Sequence, residues 1–197
     1  MLIFNKSETS AKIAIRYMTE KAAEYTQLKP EQTIIFIGMM GAGKTTIGKA
    51  LARELGRDFI DLDHEIVRRC GVAIPTIFDI EGEEGFRKRE TDTLKEVAKQ
   101  HNVVLATGGG AVLKAENQEV LQQSDHVVYL KANVDELFRR VARDPNRPLL
   151  QTDNPRERLR ELLEARAAIY ERLATVTIET GTGSIQSVLK QLKNYLR

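Results

Sequence analysis

Gly38-Met39-Met40-Gly41-Ala42-Gly43-Lys44-Thr45 follows the pattern G-x-x-x-x-G-K-[ST], and its flanks decide how this chain folds. The preceding run Thr33-Ile34-Ile35-Phe36-Ile37 is short, apolar and β-branched, which predicts a buried strand. After it, Ile47, Ala50, Leu51 and Leu55 recur at helical spacing from Thr46 to Leu55, and Gly56 is placed to end that helix. Strand, glycine loop and helix together turn a text pattern into a phosphate cradle rather than an ordinary glycine-rich turn. The glycines let successive backbone N–H groups face an anion, and the helix N-terminus adds its partial positive charge. In that setting Lys44 reaches the β- and γ-phosphates, and the Thr45 hydroxyl is a ligand for Mg²⁺.

The remaining composition sets bounds. A chain of 197 residues is expected to form one domain with a sizeable core. Thirty basic side chains against 28 acidic ones leave a net charge of +2, so no global charge calls for nucleic acid or a membrane surface. No apolar run approaches the ~18 residues of a spanning helix. The single Cys70 forbids an intramolecular disulfide and suits a reducing compartment, so the cytoplasm is the expected location. Residues 1–30 form an N-terminal extension. Ile13, Ala14, Tyr17 and Met18 fit a short surface helix there, a disordered arm is the alternative, and Glu8, Glu20 and Glu24 argue against a targeting signal.

Phe59-Ile60-Asp61-Leu62-Asp63 predicts a second strand, with Asp61 and Asp63 on one face at its carboxyl end. Alternatively it is a solvated strand end with Asp63 capping the helix over 64–69, which Gly71 ends. From Glu83 to about Gln100 the pattern predicts a helix with an acidic first turn. Arg87 on it reads most simply as a surface charge beside Glu83, Glu84 or Glu90. Val103-Val104-Leu105-Ala106 predicts a strand that runs into Thr107-Gly108-Gly109-Gly110. Those glycines either admit a ligand close to the backbone or form a flexible connection. His126–Leu130 is a further strand, and Asn133 is a cap for a helix over 134–143. The proline-rich stretch 144–155 is long enough for a lid. A helix over 156–173 sets Arg166 among Arg158, Glu161, Glu164 and Glu171, which suggests a solvated face. Val176-Thr177-Ile178 is a fifth strand, and a closing amphipathic helix runs from Ile185 to Leu196. His64, His101 and His126 have no metal-ligand spacing.

Strands alternating with helices after a phosphate loop predict a three-layer α/β/α sandwich with a mostly parallel five-stranded sheet, of the P-loop NTPase type. The carboxylates, the glycine run and the lid all fall where they can face one crevice. The residues alone therefore point to a small kinase: an ATP site, a carboxylate to receive a hydroxyl, and a basic lid to exclude water.

Six motifs in order narrow this further: G-M-M-G-A-G-K-T-T, F-I-D-L-D, E-G-E-E-G-F-R-K-R-E, T-G-G-G-A, R-P-L-L and A-R-A-A-I-Y. Across nearly all of residues 33–195 the chain resembles the shikimate kinase family. That resemblance implies transfer of the ATP γ-phosphoryl to the 3-hydroxyl of shikimate, giving 3-phosphoshikimate and ADP in aromatic amino-acid biosynthesis. It implies that Gly41, Ala42, Gly43, Lys44, Thr45, Thr46 and Arg147 bind ATP, and that Thr45 and Asp61 hold Mg²⁺. It implies that Arg87 and Arg166 clamp the shikimate carboxylate, that Gly109 touches the substrate through its backbone, and that Asp63 binds the ring hydroxyls. Lys44, Asp63 and Arg147 would be the catalytic residues. The expected enzyme is a monomer with a kinase domain over 31–197, a lid at about 144–155, and neither nucleic-acid nor membrane partners. A related gluconate or nucleotide kinase would share the loop and lid without needing the other motifs together, and a non-catalytic nucleotide-binding protein would have no need of Lys44, Asp63 and Arg147 at once. The 30 extra N-terminal residues depart from the family's compact length, and the turn at 179–183 lacks the basic residue often found there.

Overall fold

Ile34–Ile37, the run ahead of the glycine loop, is wholly buried in the computed structural model, which describes residues 29, 32–142, 148–181 and 183–196. Successive strand residues point to opposite faces, so full burial of β1 (Ile34–Ile37) means that both faces of the sheet are covered. The same holds for β3 (Val103–Ala106). With β2 (Asp58–Asp61), β4 (His126–Lys131) and β5 (Val176–Glu179) they form one sheet in the order β2-β3-β1-β4-β5. Every adjacent pair is parallel, with Ile35 opposite Leu105 on one side and Val127 on the other. The mostly parallel sheet expected from the sequence is thus parallel throughout. β1 lies at its centre, where the chain turns from filling one side of the sheet to filling the other. The crevice beyond the carboxyl ends of such strands is where open α/β sheets take ligands.

Among the described residues seven helices fill the connections: α1 (Lys44–Leu55), α2 (Leu62–Cys70), α3 (Ile74–Val97), α4 (Ala115–Gln122), α5 (Val134–Val141), α6 (Pro155–Leu173) and α7 (Ile185–Leu196). α1 packs on β1, β2, β3 and α7, whereas α3 meets α4, α4 meets α6, and α6 lies against β4. The helix ends follow the local chemistry. Gly56 and Gly71 close α1 and α2 in the left-handed conformation, as predicted, and Asn133 caps α5 by accepting from the Glu136 N–H at 2.9 Å. Cys70, half-buried, is the last residue of α2.

Two expectations need correction, and two stretches gain detail that the sequence did not give. The second strand ends at Asp61, not Asp63. Asp61 caps α2 by accepting from the His64 N–H at 3.3 Å, which puts Asp63 in the first helical turn, so the two carboxylates do not share a strand face. A carboxylate there satisfies an orphan donor and suits the helix dipole, and this outweighs two more residues of strand. α3 starts at Ile74, with Pro75 in its first turn, and Gly82 (φ 70°) interrupts it before Glu83. α4 leaves little apolar period in the sequence, because its buried side chains are Asn117 and Leu121, and Asn117 donates to the Ala111 carbonyl at 2.8 Å. Of the stretch 144–155, residues 148–150 form a 3₁₀ turn and Asn154 caps α6. Residues 143–147, with Arg147 among them, lie outside the described residues, as does the expected helix near Ile13–Met18.

α1 sits close to the sheet because Gly48 has no side chain, since a Cβ there would stand 2.6 Å from the Phe59 ring. Gly48→Val should therefore destabilise the fold by about 1–3 kcal/mol through overpacking, read as a lower urea midpoint at unchanged slope.

Candidate active site

The loop between β1 and α1 is pressed against the neighbouring backbone. Gly38 (φ 135°) and Gly41 (φ 80°) lie in the left-handed half of backbone space, and a Cβ on them would stand 2.5 Å from the Leu130 carbonyl oxygen and 2.9 Å from that of Leu137. Lys44, buried beneath the loop, donates from Nζ to the carbonyls of Gly38 and Met39 at 2.8 and 2.9 Å. One residue on, Thr45 Oγ1 donates to Asp61 Oδ2 at 2.6 Å, so the loop hydroxyl and the carboxylate at the end of β2 are held together.

A crevice of about 600 Å³ opens over this loop, lined by Gly41, Gly43, Lys44, Thr45, Thr46, Asp61 and Asp63 among others. Ala42 lies buried behind that lining. Arg140, not singled out by the sequence reading, forms part of its wall. Its guanidinium donates to the Gly41 carbonyl at 3.0 Å and to the Thr180 and Gly181 carbonyls at 2.6 and 2.8 Å. Thr180 Oγ1 in turn donates to the Ala42 carbonyl at 3.0 Å. These bonds staple the turn after β5 to the loop. In the sequence Arg140 looks like any cation in a helix's last turn, which hides this role.

A smaller pocket of about 70 Å³ continues the crevice and shares Met40, Asp63, Gly108 and Gly109 with it. Arg87 from α3 and Arg166 from α6 line it, and neither is the surface charge that its spacing suggested. They are 7% and 3% exposed. Arg87 donates from Nη1 to Glu90 Oε2 at 2.7 Å and from Nη2 to Glu83 Oε1 at 3.0 Å. Glu90 is wholly buried, and Oε1 of its carboxylate has no hydrogen-bond partner among the described residues. Burial pushes the Glu90 carboxyl above its ordinary range, and the Arg87 guanidinium opposes the shift. Arg166 donates to the Gly109 carbonyl at 3.4 Å, and among the described residues no ion pair joins it to a carboxylate. A buried cation that forms no ion pair among the described residues is costly, and an anion entering this pocket would offset that cost.

The glycine run fits these charges. A Cβ on Gly110 would lie 2.4 Å from both Nη atoms of Arg87, and one on Gly108 would lie 2.7 Å from Glu90 Oε1 and 2.9 Å from Asp63 Oδ1. The Gly109 carbonyl accepts from the Tyr170 hydroxyl, whose ring stacks on Tyr129 at 5.0 Å. The run is therefore a surface against which the site's charged side chains pack, not a slack connection. The structure thus brings Gly41, Gly43, Lys44, Thr45, Thr46, Asp61, Asp63, Arg87, Gly109 and Arg166 to one crevice.

Phosphate loop, parallel sheet and crevice define a P-loop kinase. A gluconokinase from Sinorhizobium meliloti, at 15% identity, shares this fold with a TM-score of 0.53. The family model for shikimate kinase matches residues 40–197, and the chain belongs to the shikimate kinase family. It is 54% identical over 166 residues to a shikimate kinase from Bordetella avium, a match spanning 84% of this chain and 79% of the relative. One from Burkholderia thailandensis is 51% identical, over 83% of this chain and 91% of the relative. The solved shikimate kinase from Acinetobacter baumannii in complex with shikimate superposes with a TM-score of 0.84 at 46% identity, covering 87% of this chain and 96% of that one.

Removing one partner of the buried Arg87–Glu90 pair leaves a charge uncompensated. Glu90→Ala should cost about 3 kcal/mol, the lower end of the range for such pairs, because Glu83 still neutralises part of Arg87. Urea denaturation reads this directly.

Proposed function

We propose that this chain transfers the γ-phosphoryl of ATP to the 3-hydroxyl of shikimate, releasing 3-phosphoshikimate and ADP. The observation that carries this reading is the pair of buried guanidiniums, Arg87 and Arg166, lining a small pocket that opens onto the phosphate loop. A planar carboxylate matches such forks in bidentate fashion, as an ammonium could not achieve. In this reading Arg87 and Arg166 hold the shikimate carboxylate, the Gly109 backbone packs against the ring, and Asp63 accepts a hydrogen bond from the attacking hydroxyl and orients it. The O–H bond breaks as the new P–O bond forms, Asp63 receives the proton, and ADP leaves with the electron pair of the broken P–O bond. Gly41, Ala42, Gly43, Lys44, Thr45 and Thr46 form the ATP-binding segment, in which the backbone of the residues lining the crevice surrounds the phosphates. The Lys44 ammonium balances the charge that develops on them.

Thr45 Oγ1 and Asp61 Oδ2, 2.6 Å apart at the crevice wall, are a hydroxyl and a carboxylate, the hard oxygen donors that Mg²⁺ takes in phosphoryl-transfer sites. They would hold the ion, which supplies charge neutralisation at the β- and γ-phosphate oxygens. Arg147 would be the lid cation that reaches the same phosphates, within a lid at 144–155 of a kinase domain at 31–197. Residues 1–30 are an extension to that domain. The near balance of 30 basic and 28 acidic side chains supports the absence of nucleic-acid and membrane-surface partners, the single Cys70 supports a cytoplasmic location, and a monomer is the assembly proposed. Among the described residues no helix is long and apolar enough to cross a membrane.

ADP release, measured with shikimate, gluconate and AMP in parallel, tests the acceptor. Release is expected with shikimate alone, and release with gluconate but not shikimate would overturn the assignment. Chelation by EDTA should stop the reaction and added Mg²⁺ should restore it. Arg147→Ala should slow turnover at saturating substrates by about 100-fold or more while leaving shikimate binding near wild type, since the lid cation acts on developing phosphoryl charge. A collapse of shikimate affinity at preserved turnover would refute that role.

A further inference from the structure

The interruption of α3 at Gly82 divides the small pocket's lining between two helical halves. Ile74 and Phe78 stand on the first half, and Phe86, Arg87 and Glu90 stand on the second. The angle between the halves therefore sets how closely the apolar wall approaches the Arg87 guanidinium. Three contacts span the break. The Phe78 and Phe86 rings meet at 4.9 Å between centroids, on the pocket side. The backbone at Gly85 crosses so near the first half that a Cβ there would stand 2.4 Å from the Glu81 Cβ. Finally, Arg89 donates from Nε and Nη2 to the two oxygens of Glu81 at 2.8 and 2.6 Å, a forked pair reaching eight residues back along the chain. The third arm of the same guanidinium, Nη1, donates to Cys70 Sγ at 3.3 Å and so ties the corner to the end of α2. α2 carries Asp63 in its first turn. Gly82 itself, at φ 70° and ψ −177°, occupies a region open essentially to glycine alone, so the chain is bent here by design of its backbone.

We propose that Arg89, through its fork to Glu81 and its bond to Cys70, is a positioning residue that fixes the corner of α3 and with it the geometry of the acceptor pocket. It does not line that pocket. Its side chain is 43% exposed and that of Glu81 35%, so the pair adds little to global stability. What it constrains is the direction of the helical half from which Arg87 and Glu90 project. The proposal rests on the reading of this pocket as the shikimate site.

Steady-state kinetics of Arg89→Ala test it. The shikimate KM should rise roughly three- to tenfold, while kcat and the ATP KM stay within about twofold of wild type. Arg89→Lys, which keeps the charge without the fork, should fall between the two. Gly85→Ala, which forces a Cβ against Glu81, should move the same parameter in the same direction. Thermal unfolding of each variant checks that the fold is intact. An unchanged shikimate KM in Arg89→Ala, or equal changes in kcat and both KM values, would overturn the proposal. Absence of shikimate-dependent turnover in the wild type would instead overturn the function on which it rests.

Discussion

The phosphate loop must fit a space that admits no side chain at two of its positions. Gly38 and Gly41 face the carbonyl oxygens of Leu130 and Leu137 at distances that exclude a Cβ, and both have positive φ. That close fit wedges the loop between the ends of β1 and β4 and the flank of α5. Arg140 and Thr180 then fasten the turn after β5 to the loop's carbonyls. Gly41, Gly43, Lys44, Thr45 and Thr46 are thereby held along the wall of the crevice. A loop that is fixed before the nucleotide arrives loses little entropy on binding, which is the physical value of the restraint.

A second constraint is the handling of charge in the smaller pocket. Arg87, Glu90 and Arg166 are almost fully withdrawn from water, yet only Arg87 and Glu90 pair with one another. Such an arrangement is expensive when empty and favours a small anion of matching shape. It also explains the three consecutive glycines, because each added Cβ would meet an Arg87 nitrogen, a Glu90 or Asp63 oxygen, or the backbone of the phosphate loop. A fold does not by itself select an acceptor, which is chosen by the side chains grafted on it. In this chain the smaller pocket draws most of its side chains from α2, α3 and α6, with Met40 alone coming from the phosphate loop.

Much of this was legible in the chain itself. β1, the loop and α1 follow from apolar runs, glycine positions and helical spacing, each of which acts within about a dozen residues. The caps at Gly56, Gly71 and Asn133 were equally local. Where two local preferences competed, the sequence misled. Asp61 caps α2 instead of continuing β2, so Asp63 reaches the crevice from a helix, and α4 hides its register behind the buried amide of Asn117.

Burial of charge was decided by tertiary structure alone. By spacing, Arg87 and Arg166 each sit among carboxylates that read as a solvated surface, and Arg140 reads as a helix-end cation. Nothing along the chain tells a reader that α3 turns Arg87 onto Gly110, that α6 brings Arg166 within 3.4 Å of the Gly109 carbonyl, or that Arg140 bridges two loops. Those contacts join residues tens of positions apart, and their energies depend on the exclusion of water by elements that no local pattern can place. The sequence by itself determined a nucleotide-gripping loop on a parallel sheet, and the ordered motifs carried the resemblance to a family. Only the folded chain decided which charges lose their water and so become able to select a ligand.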